Sequence, residues 1–162
     1  MKLECGRCVV RDWERADRPS LVRFANNRNV WRNLKDRFPQ PYTDVHAEQW
    51  FDMLEAMAEP THWAIEEDGA VAGSIGVQLD SGHFGYWLGE PFWRRGIMTA
   101  AVGRVAPYVL QRLKLPRLQA PVFEWNPHRC ACWRNAVFSA RACFAAASAR
   151  TENSSTRCST LG

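Results

Sequence analysis

The front part of the chain carries apolar residues at the spacing of two amphipathic helices. Asp17 suits a helix cap and Pro19 suits a first turn, so a helix is predicted to begin there and to stop at Asn26 and Asn27. A second helix is predicted from Thr43, because one face of the following residues is apolar as far as residue 57. The aromatic, proline-containing stretch between the two predicts an ordered loop or a short helix.

After residue 60 the spacing changes to that of β-strands. Strands are predicted over residues 62–67 and 70–79, because Asp68 and Gly69 between them favour a hairpin turn. Residues 83–89 form a third strand, and residues 118–123 follow a helix over 99–113 as the last one. Pro107 within that helix predicts a kink or a later start of the regular helix. With residues 7–13 as a first strand, the order is strand, two helices, an antiparallel meander, then strand, helix and strand.

Length and composition limit the classes of protein to consider. The chain has 162 residues, of which 46% are apolar, enough for one domain with a core. No stretch approaches the roughly 18 to 20 apolar residues of a membrane helix, and the N-terminus lacks the apolar centre of a signal peptide. We therefore expect a cytoplasmic protein without a membrane partner.

The excess of positive over negative charge lies in the C-terminal segment. The net charge is +4, yet residues 1–127 hold 16 Lys and Arg against 16 Asp and Glu. The excess therefore lies wholly in residues 128–162, and it gives the body of the protein no basic face that would indicate a nucleic-acid partner.

Residues 85–99 are typical of a strand that runs through a basic glycine loop into a helix. Main-chain N–H groups and the helix dipole both favour an anion at a helix N-terminus. Gly96 allows close approach of the backbone, and Arg94 and Arg95 add positive charge. The pattern predicts a pyrophosphate site, whereas the isolated Arg-Arg-Gly tripeptide would be a surface turn.

These residues, together with 25–43 and 119–127, resemble the GNAT superfamily, and within it the RimJ/RimL-like N-acetyltransferases. The resemblance spans Arg11 to Pro127. It implies an α+β fold with helices on both sides of a central, mostly antiparallel sheet that splays apart where acetyl-CoA enters. It also implies acetyl-CoA as cosubstrate and, as acceptor, a small-molecule or peptide amine, foremost a protein N-terminal α-amine. Neither the acceptor nor the oligomeric state follows from the sequence.

The resemblance assigns site residues as well. The pantetheine arm of acetyl-CoA would lie along Tyr86, Trp87 and Leu88, and Asn126 would contact it. The loop would bind the pyrophosphate through its main-chain N–H groups, and its residues are Trp93, Arg94, Arg95, Gly96, Ile97, Met98 and Thr99. Relatives often carry a glutamate at the position of His83, which could act as the base that accepts the amine proton. The other interpretation of His83 is a polar residue that begins a strand after a tight turn.

Residues 128–162 depart from the resemblance. Arg129 replaces the serine of the family's Asn-Pro-x-Ser turn, and the helix and hairpin that should follow are altered or missing. An incomplete GNAT domain is therefore predicted for residues 1–127 and an aberrant tail for 128–162, with a composition typical of disorder over 149–162.

The genetic code suggests a cause for this departure. Plausible codons for residues 130–141, read from the third base of the first, give Arg-Val-Leu-Glu-Lys-Cys-Gly-Phe-Gln-Arg-Glu, which matches the family's helix and Gly-Phe turn. We hypothesise a frameshift near residue 128 that replaced the native C-terminus. Such a copy would be a catalytically impaired remnant that at most binds acetyl-CoA.

Two other interpretations treat the tail as native sequence and assign the protein to a non-enzymatic class. The cysteines at positions 5 and 8, with His128, Cys130 and Cys132, could hold a structural zinc ion. Alternatively, the tail's arginines could bind nucleic acid in a non-catalytic module, although they are scattered among alanines. The frameshift accounts for more of the tail than either, so no metal site and no nucleic-acid partner are predicted.

Overall fold

The fold is built on one mixed sheet, which we describe from a computed structural model. The structure describes residues 1–35, 37–115, 117–120, 126, 129, 131–132 and 142–143. Within these residues, seven strands lie side by side in sequence order. Their bounds are β1 Lys2–Glu4, β2 Val9–Arg11, β3 His62–Glu67, β4 Ala70–Gln78, β5 His83–Leu88, β6 Leu118–Gln119 and β7 Ala142–Cys143. Strands β1 to β5 are antiparallel, while β5, β6 and β7 are parallel.

The predicted meander of β3, β4 and β5 is confirmed almost to the residue. The β3–β4 hairpin turns at Asp68 and Gly69, which both have positive φ values, of 51° and 76°. This is the backbone of the tight hairpin turn that Asp-Gly favours. Strand β2 lies within the first strand predicted over residues 7–13. Strand β1, and with it the β1–β2 hairpin, was not predicted, because it is only three residues long and shows no extended alternation.

Helices cover both faces of the sheet, as the resemblance implied. They are α1 Arg18–Ala25, α2 Arg28–Trp31, α3 Asp44–Glu55 and α4 Ile97–Arg112. Asp17 and Thr43 occupy the N-cap positions of α1 and α3, as predicted. The prediction of a later start for α4 is wrong: the helix begins before Thr99 and continues through Pro107. No helix in the described part of the chain is long and apolar enough to cross a membrane.

Two buried clusters hold these layers together. On one face of the sheet, α4 packs against the strands through a cluster that includes Val102, Val105, Ile65 and Phe84. On the other face, α1 and α3 form a second cluster, against which Trp87 is packed. Because side chains alternate along a strand, β5 sends Tyr86 to the first cluster and Trp87 to the second, and it is thus fixed from both sides.

Strands β5 and β6 meet at the start of β5. Among the described residues they pair only at His83 and Gln119, next to a hydrogen bond of 2.9 Å from the Gln119 N–H to the Gly82 carbonyl. Residues 121–123 of the predicted last strand lie outside the described residues. So does most of the predicted tail, although Ala142 and Cys143 within it form β7 beside β6.

The paired strands β4 and β5 contain two glycines that should respond differently to alanine. A methyl group at Gly73 would lie 2.1 Å from the Trp87 carbonyl oxygen, whereas at Gly85 nothing lies within 4 Å. We expect Gly73→Ala to lower the free energy of unfolding by about 1–3 kcal/mol through overpacking. Gly85→Ala, the matched control, should change it by less than about 0.5 kcal/mol. Urea unfolding measures both, and equal effects would contradict the packing shown here.

Candidate acetyl-CoA site

The loop between β5 and α4 exposes main-chain N–H groups at the start of α4. Gly96 caps the helix with φ 76°, and the first helical hydrogen bond runs from the Ala100 N–H to the Gly96 carbonyl at 3.1 Å. The N–H groups of Ile97, Met98 and Thr99 therefore have no acceptor within the helix. Together with the positive end of the helix dipole, these groups make an anion-binding position.

The backbone just before the helix has an unusual conformation that suits the same purpose. Arg94 has φ 60° and Gly96 has φ 76°, while Arg95 between them does not have a positive φ. When left-handed and right-handed backbone conformations alternate, neighbouring N–H groups point toward one side and form a concavity that binds anions. Arg94 adopts a conformation that glycine accepts readily and arginine rarely, and such strain is concentrated at functional sites.

A cleft of about 510 Å³ runs from this loop along the edge of β5. Its lining comes from α2, β5, the loop, the start of α4 and the beginning of the tail. Of the residues predicted to bind the cofactor, those that line the cleft are Tyr86, Trp87, Leu88, Trp93, Arg94, Gly96, Ile97, Met98, Thr99 and Asn126. The single predicted strand-loop-helix segment thus supplies one continuous wall.

The edge of β5 that faces the cleft presents main-chain carbonyl groups. The Gly89 N–H donates to the Ala72 carbonyl at 2.8 Å, just beyond the β4–β5 ladder. Because hydrogen-bonded and non-hydrogen-bonded pairs alternate in an antiparallel ladder, the main-chain groups of Tyr86 and Leu88 point away from β4. The Leu88 carbonyl accepts a hydrogen bond of 2.8 Å from the Trp93 indole. An amide-bearing ligand could add to this edge as a strand would.

Two of the predicted site residues lie outside the lining of the cleft. The Arg95 guanidinium forms an ion pair with Glu67 at 2.8 Å, so its charge is directed toward β3. His83 begins β5, where that strand still pairs with β6. Burial, followed by the positive charge of Lys35, lowers the pKa of His83.

Sequence reasoning missed the residues that join α2 to the cofactor loop. Asn27 caps α2 by accepting from the Asn29 and Val30 N–H groups, at 2.8 and 3.3 Å. The amides of Asn27 and Asn29 also donate to the Glu90 carboxylate, and hydrogen bonding by Asn27 lowers the pKa of Glu90. The sequence predicted Asn26 and Asn27 only as the end of a helix. Asparagine is a common helix-capping residue, but the sequence does not reveal that Glu90 on the loop is a partner of Asn27.

Arg129, at the start of the tail, lines the cleft although it was not predicted to bind there. Its N–H donates to the Asn126 side-chain oxygen at 3.0 Å, and the Asn126 amide donates to Asn33 at 3.0 Å. Its guanidinium donates to the Tyr86 carbonyl at 2.8 Å. Both ends of the Asn126 amide are therefore engaged within the chain.

The cysteines do not assemble a metal site among the described residues. No group of three or more His, Cys, Asp or Glu side chains is placed to hold an ion in that part of the chain. The thiols of Cys5 and Cys8 are buried, whereas that of Cys132 accepts a hydrogen bond from Thr99 at 3.5 Å beside the cleft. Burial raises the pKa of Cys132, so this thiol stays protonated at neutral pH. The other proposed zinc ligands, at positions 128 and 130, lie outside the described residues.

Solved structures share the fold over most of the chain. The RimL ribosomal L7/L12 α-N-protein acetyltransferase in complex with CoA has a TM-score of 0.70 at 14% identity, with 85% of this chain and 83% of that chain covered. Spermidine N-acetyltransferase from Vibrio cholerae, with CoA and spermine, has a TM-score of 0.67 at 17% identity, with 81% and 80% covered. The ribosomal-protein-S5-alanine acetyltransferase from Vibrio fischeri has 0.70 at 15%, with 85% and 82% covered. No curated protein matches the chain.

The cleft, with its helix N-terminus and strand edge, suits a long, phosphate-bearing ligand. The sequence matches the Acetyltransferase (GNAT) domain over residues 7–136, beyond the boundary predicted at 127. The chain belongs to the GNAT acetyltransferase family. Its cosubstrate is accordingly acetyl-CoA, as predicted, and the helix N-terminus and strand edge described above offer the donors and acceptors that such a ligand needs.

Two glycines with the same backbone angle allow an effect on cofactor binding to be distinguished from an effect of backbone strain. Gly96 and Gly69 both have φ 76°, but only Gly96 lies at the anion-binding position. Alanine at either should cost about 1–2 kcal/mol of stability, because the left-handed conformation is unfavourable for it. We expect Gly96→Ala also to weaken acetyl-CoA binding by about tenfold, since a shift costing about 1.4 kcal/mol has that effect. Titration calorimetry measures the affinity, and loss of affinity in Gly69→Ala as well would show that the loop is not the site.

Proposed function

We propose that the chain transfers the acetyl group of acetyl-CoA to the α-amine of a peptide, as a RimJ/RimL-like enzyme. The observation that supports this acceptor is the charge of the cleft. Its described lining contains Arg32, Arg94 and Arg129 and no aspartate or glutamate. Arg94 lies in the loop between β5 and α4. Arg32 follows α2 in the loop over residues 30–42, which the family resemblance assigns to the acceptor groove and which we call the acceptor side. A cleft of one sign attracts ligands of the other sign.

The acceptor side favours an acidic peptide over a polyamine. Arg32 is followed on the same loop by Lys35 and Arg37. Burial lowers the pKa of Lys35, and repulsion by the positive charges of Arg37 and Arg129 lowers it further. A polyamine would add to that repulsion, whereas acidic residues near a peptide N-terminus would relieve it. The solved spermidine acetyltransferase shares the fold but carries no information on the charge of this cleft.

The proposed function depends on the origin of residues 128–162. We propose that residues 128–162 result from the loss of one base directly after the Pro127 codon. A His codon that ends in T followed by an Arg codon that begins with CG contains the serine codon TCG. One restored base therefore places a serine at position 129, where the family turn has it, and the frame then continues into the Arg-Val-Leu-Glu-Lys reading.

One assay tests the acceptor and the tail together. Each of two chains, this one and one repaired by the restored base, is incubated with acetyl-CoA and an amine, and release of the CoA thiol is followed. The amines are a short peptide with glutamates after its first residue, the same peptide with lysines, and spermidine. We expect kcat/KM to be about tenfold or more higher for the acidic peptide, and higher for the repaired chain.

The outcomes separate the parts of this proposal. Preference for spermidine or the lysine peptide would contradict the acceptor, although not the transferase. Equal rates for the two chains would contradict the frameshift as a cause of impairment. If neither chain acetylates any amine while both are folded, the transferase assignment of this sequence is wrong.

His83 remains our proposal for the base. It lies three residues before Tyr86 on β5, about 10 Å along the strand, so an amine proton would reach it through water. Its lowered pKa leaves the imidazole neutral at pH 7, in the form that accepts a proton. A cytoplasmic location likewise remains a prediction of the sequence.

The pH profile of the repaired chain tests His83. Because the pKa of His83 is lowered from its ordinary 6.5, the neutral form persists below that pH, and kcat/KM should decline only at still lower pH. We expect His83→Gln to lower kcat by about a hundredfold and to remove this acid limb. His46→Gln, which changes a histidine at the start of α3, should retain both the rate and the limb. An acid limb that persists in His83→Gln would assign the base to another group.

A further inference from the structure

The Arg129 side chain lies against the edge of β5 that faces the cleft. Its guanidinium donates to the Tyr86 carbonyl at 2.8 Å and lies 4.1 Å from the centre of the Tyr86 ring. In return, the Tyr86 hydroxyl donates to the Arg129 carbonyl at 3.3 Å. The two residues are therefore joined at three points, and the Arg129 backbone is fixed by Asn126.

The carbonyl that Arg129 takes is one of those by which β5 can hold a ligand. The Tyr86 main-chain groups face the cleft, as the ladder of β4 and β5 requires. An added strand or amide chain at this edge would pair with Tyr86 and Leu88. The Tyr86 ring under the guanidinium also lines the cleft, so the arginine covers main chain and side chain at once.

We propose that Arg129 stands where the pantetheine arm of acetyl-CoA would pair with β5, and that it thereby weakens the binding of acetyl-CoA to this chain. This inference rests on the proposed function. The Tyr86 carbonyl already accepts a charge-assisted hydrogen bond from the guanidinium, which an uncharged amide of the arm replaces only with a weaker one. Binding requires Arg129 to leave both its acceptor and the ring, and a charge-assisted hydrogen bond and a cation–π contact are lost.

One part of the Arg129 guanidinium gains nothing from this contact. Within the described part of the chain, its Nε is buried and has no hydrogen-bond partner. A buried unpaired donor lowers the net gain from the contact, so the competition with the cofactor rests on the hydrogen bond to Tyr86 and on the ring contact. The positive charge itself would attract the phosphates of acetyl-CoA, so the competition for the strand edge and the attraction by charge predict opposite effects of removing Arg129.

Titration calorimetry with two probes distinguishes these roles. The probes are acetyl-CoA and 3′-phospho-ADP, which is the nucleotide portion of CoA with its pyrophosphate but without the pantetheine arm. We expect Arg129→Ser to bind acetyl-CoA about tenfold or more tightly than the unaltered chain, because a charge-assisted hydrogen bond no longer has to be broken. Its affinity for 3′-phospho-ADP should be unchanged or lower, since only a positive charge has been removed.

A second variant tests whether any gain in affinity comes from the lost hydrogen bond and not from a changed fold. Arg129→Met keeps the volume over the Tyr86 ring but removes every donor, and it should also bind acetyl-CoA more tightly. Thermal unfolding establishes that the variants are folded. Acetyl-CoA affinity that is unchanged or lower in both folded variants would overturn the proposal. Binding of neither probe by any of the chains would instead overturn the cofactor site itself, and this inference with it.

Discussion

The cleft depends on the edge of β5 that β4 does not cover. Within the described residues, β5 and β6 pair only at His83 and Gln119, and Tyr86 and Leu88 line the cleft beyond that point. Main-chain groups that point away from β4 there need hydrogen-bonding partners, because buried unpaired groups are costly. Two of these partners are side chains of the described residues, the Trp93 indole and the Arg129 guanidinium. A cosubstrate with amide groups competes for the same edge.

Much of the fold could be predicted because its signals are local. The strand-forming runs on either side of the Asp68 and Gly69 turn, and the alternation of buried positions in β5, specify the meander without reference to distant residues. The cofactor loop is local as well, since Gly96 and the start of α4 are consecutive. The α4 boundary was misplaced because the first turn of a helix that follows a capping glycine carries no periodic signal of its own.

The rest could not be predicted because it depends on partners far away in sequence. The direction of Arg95 is decided by Glu67 on β3, and the role of Asn27 by Glu90 on the loop. Neither pair has a fixed spacing that a sequence pattern could reveal. The same holds for Arg129. The sequence shows that it replaces the serine of the family's turn, but its contact with Tyr86 depends on which edge of β5 faces the cleft.

The frameshift hypothesis and the Arg129 contact bear on each other. The guanidinium donates to the Tyr86 carbonyl and packs on the Tyr86 ring, so this contact stabilises the edge of β5. Our proposal is that the same contact opposes the cosubstrate. Under the frameshift hypothesis the native residue is a serine, which is too short to reach over the ring. Stability of the free protein and affinity for the cosubstrate would then be set against each other at this one position, whatever the rest of the tail contributes.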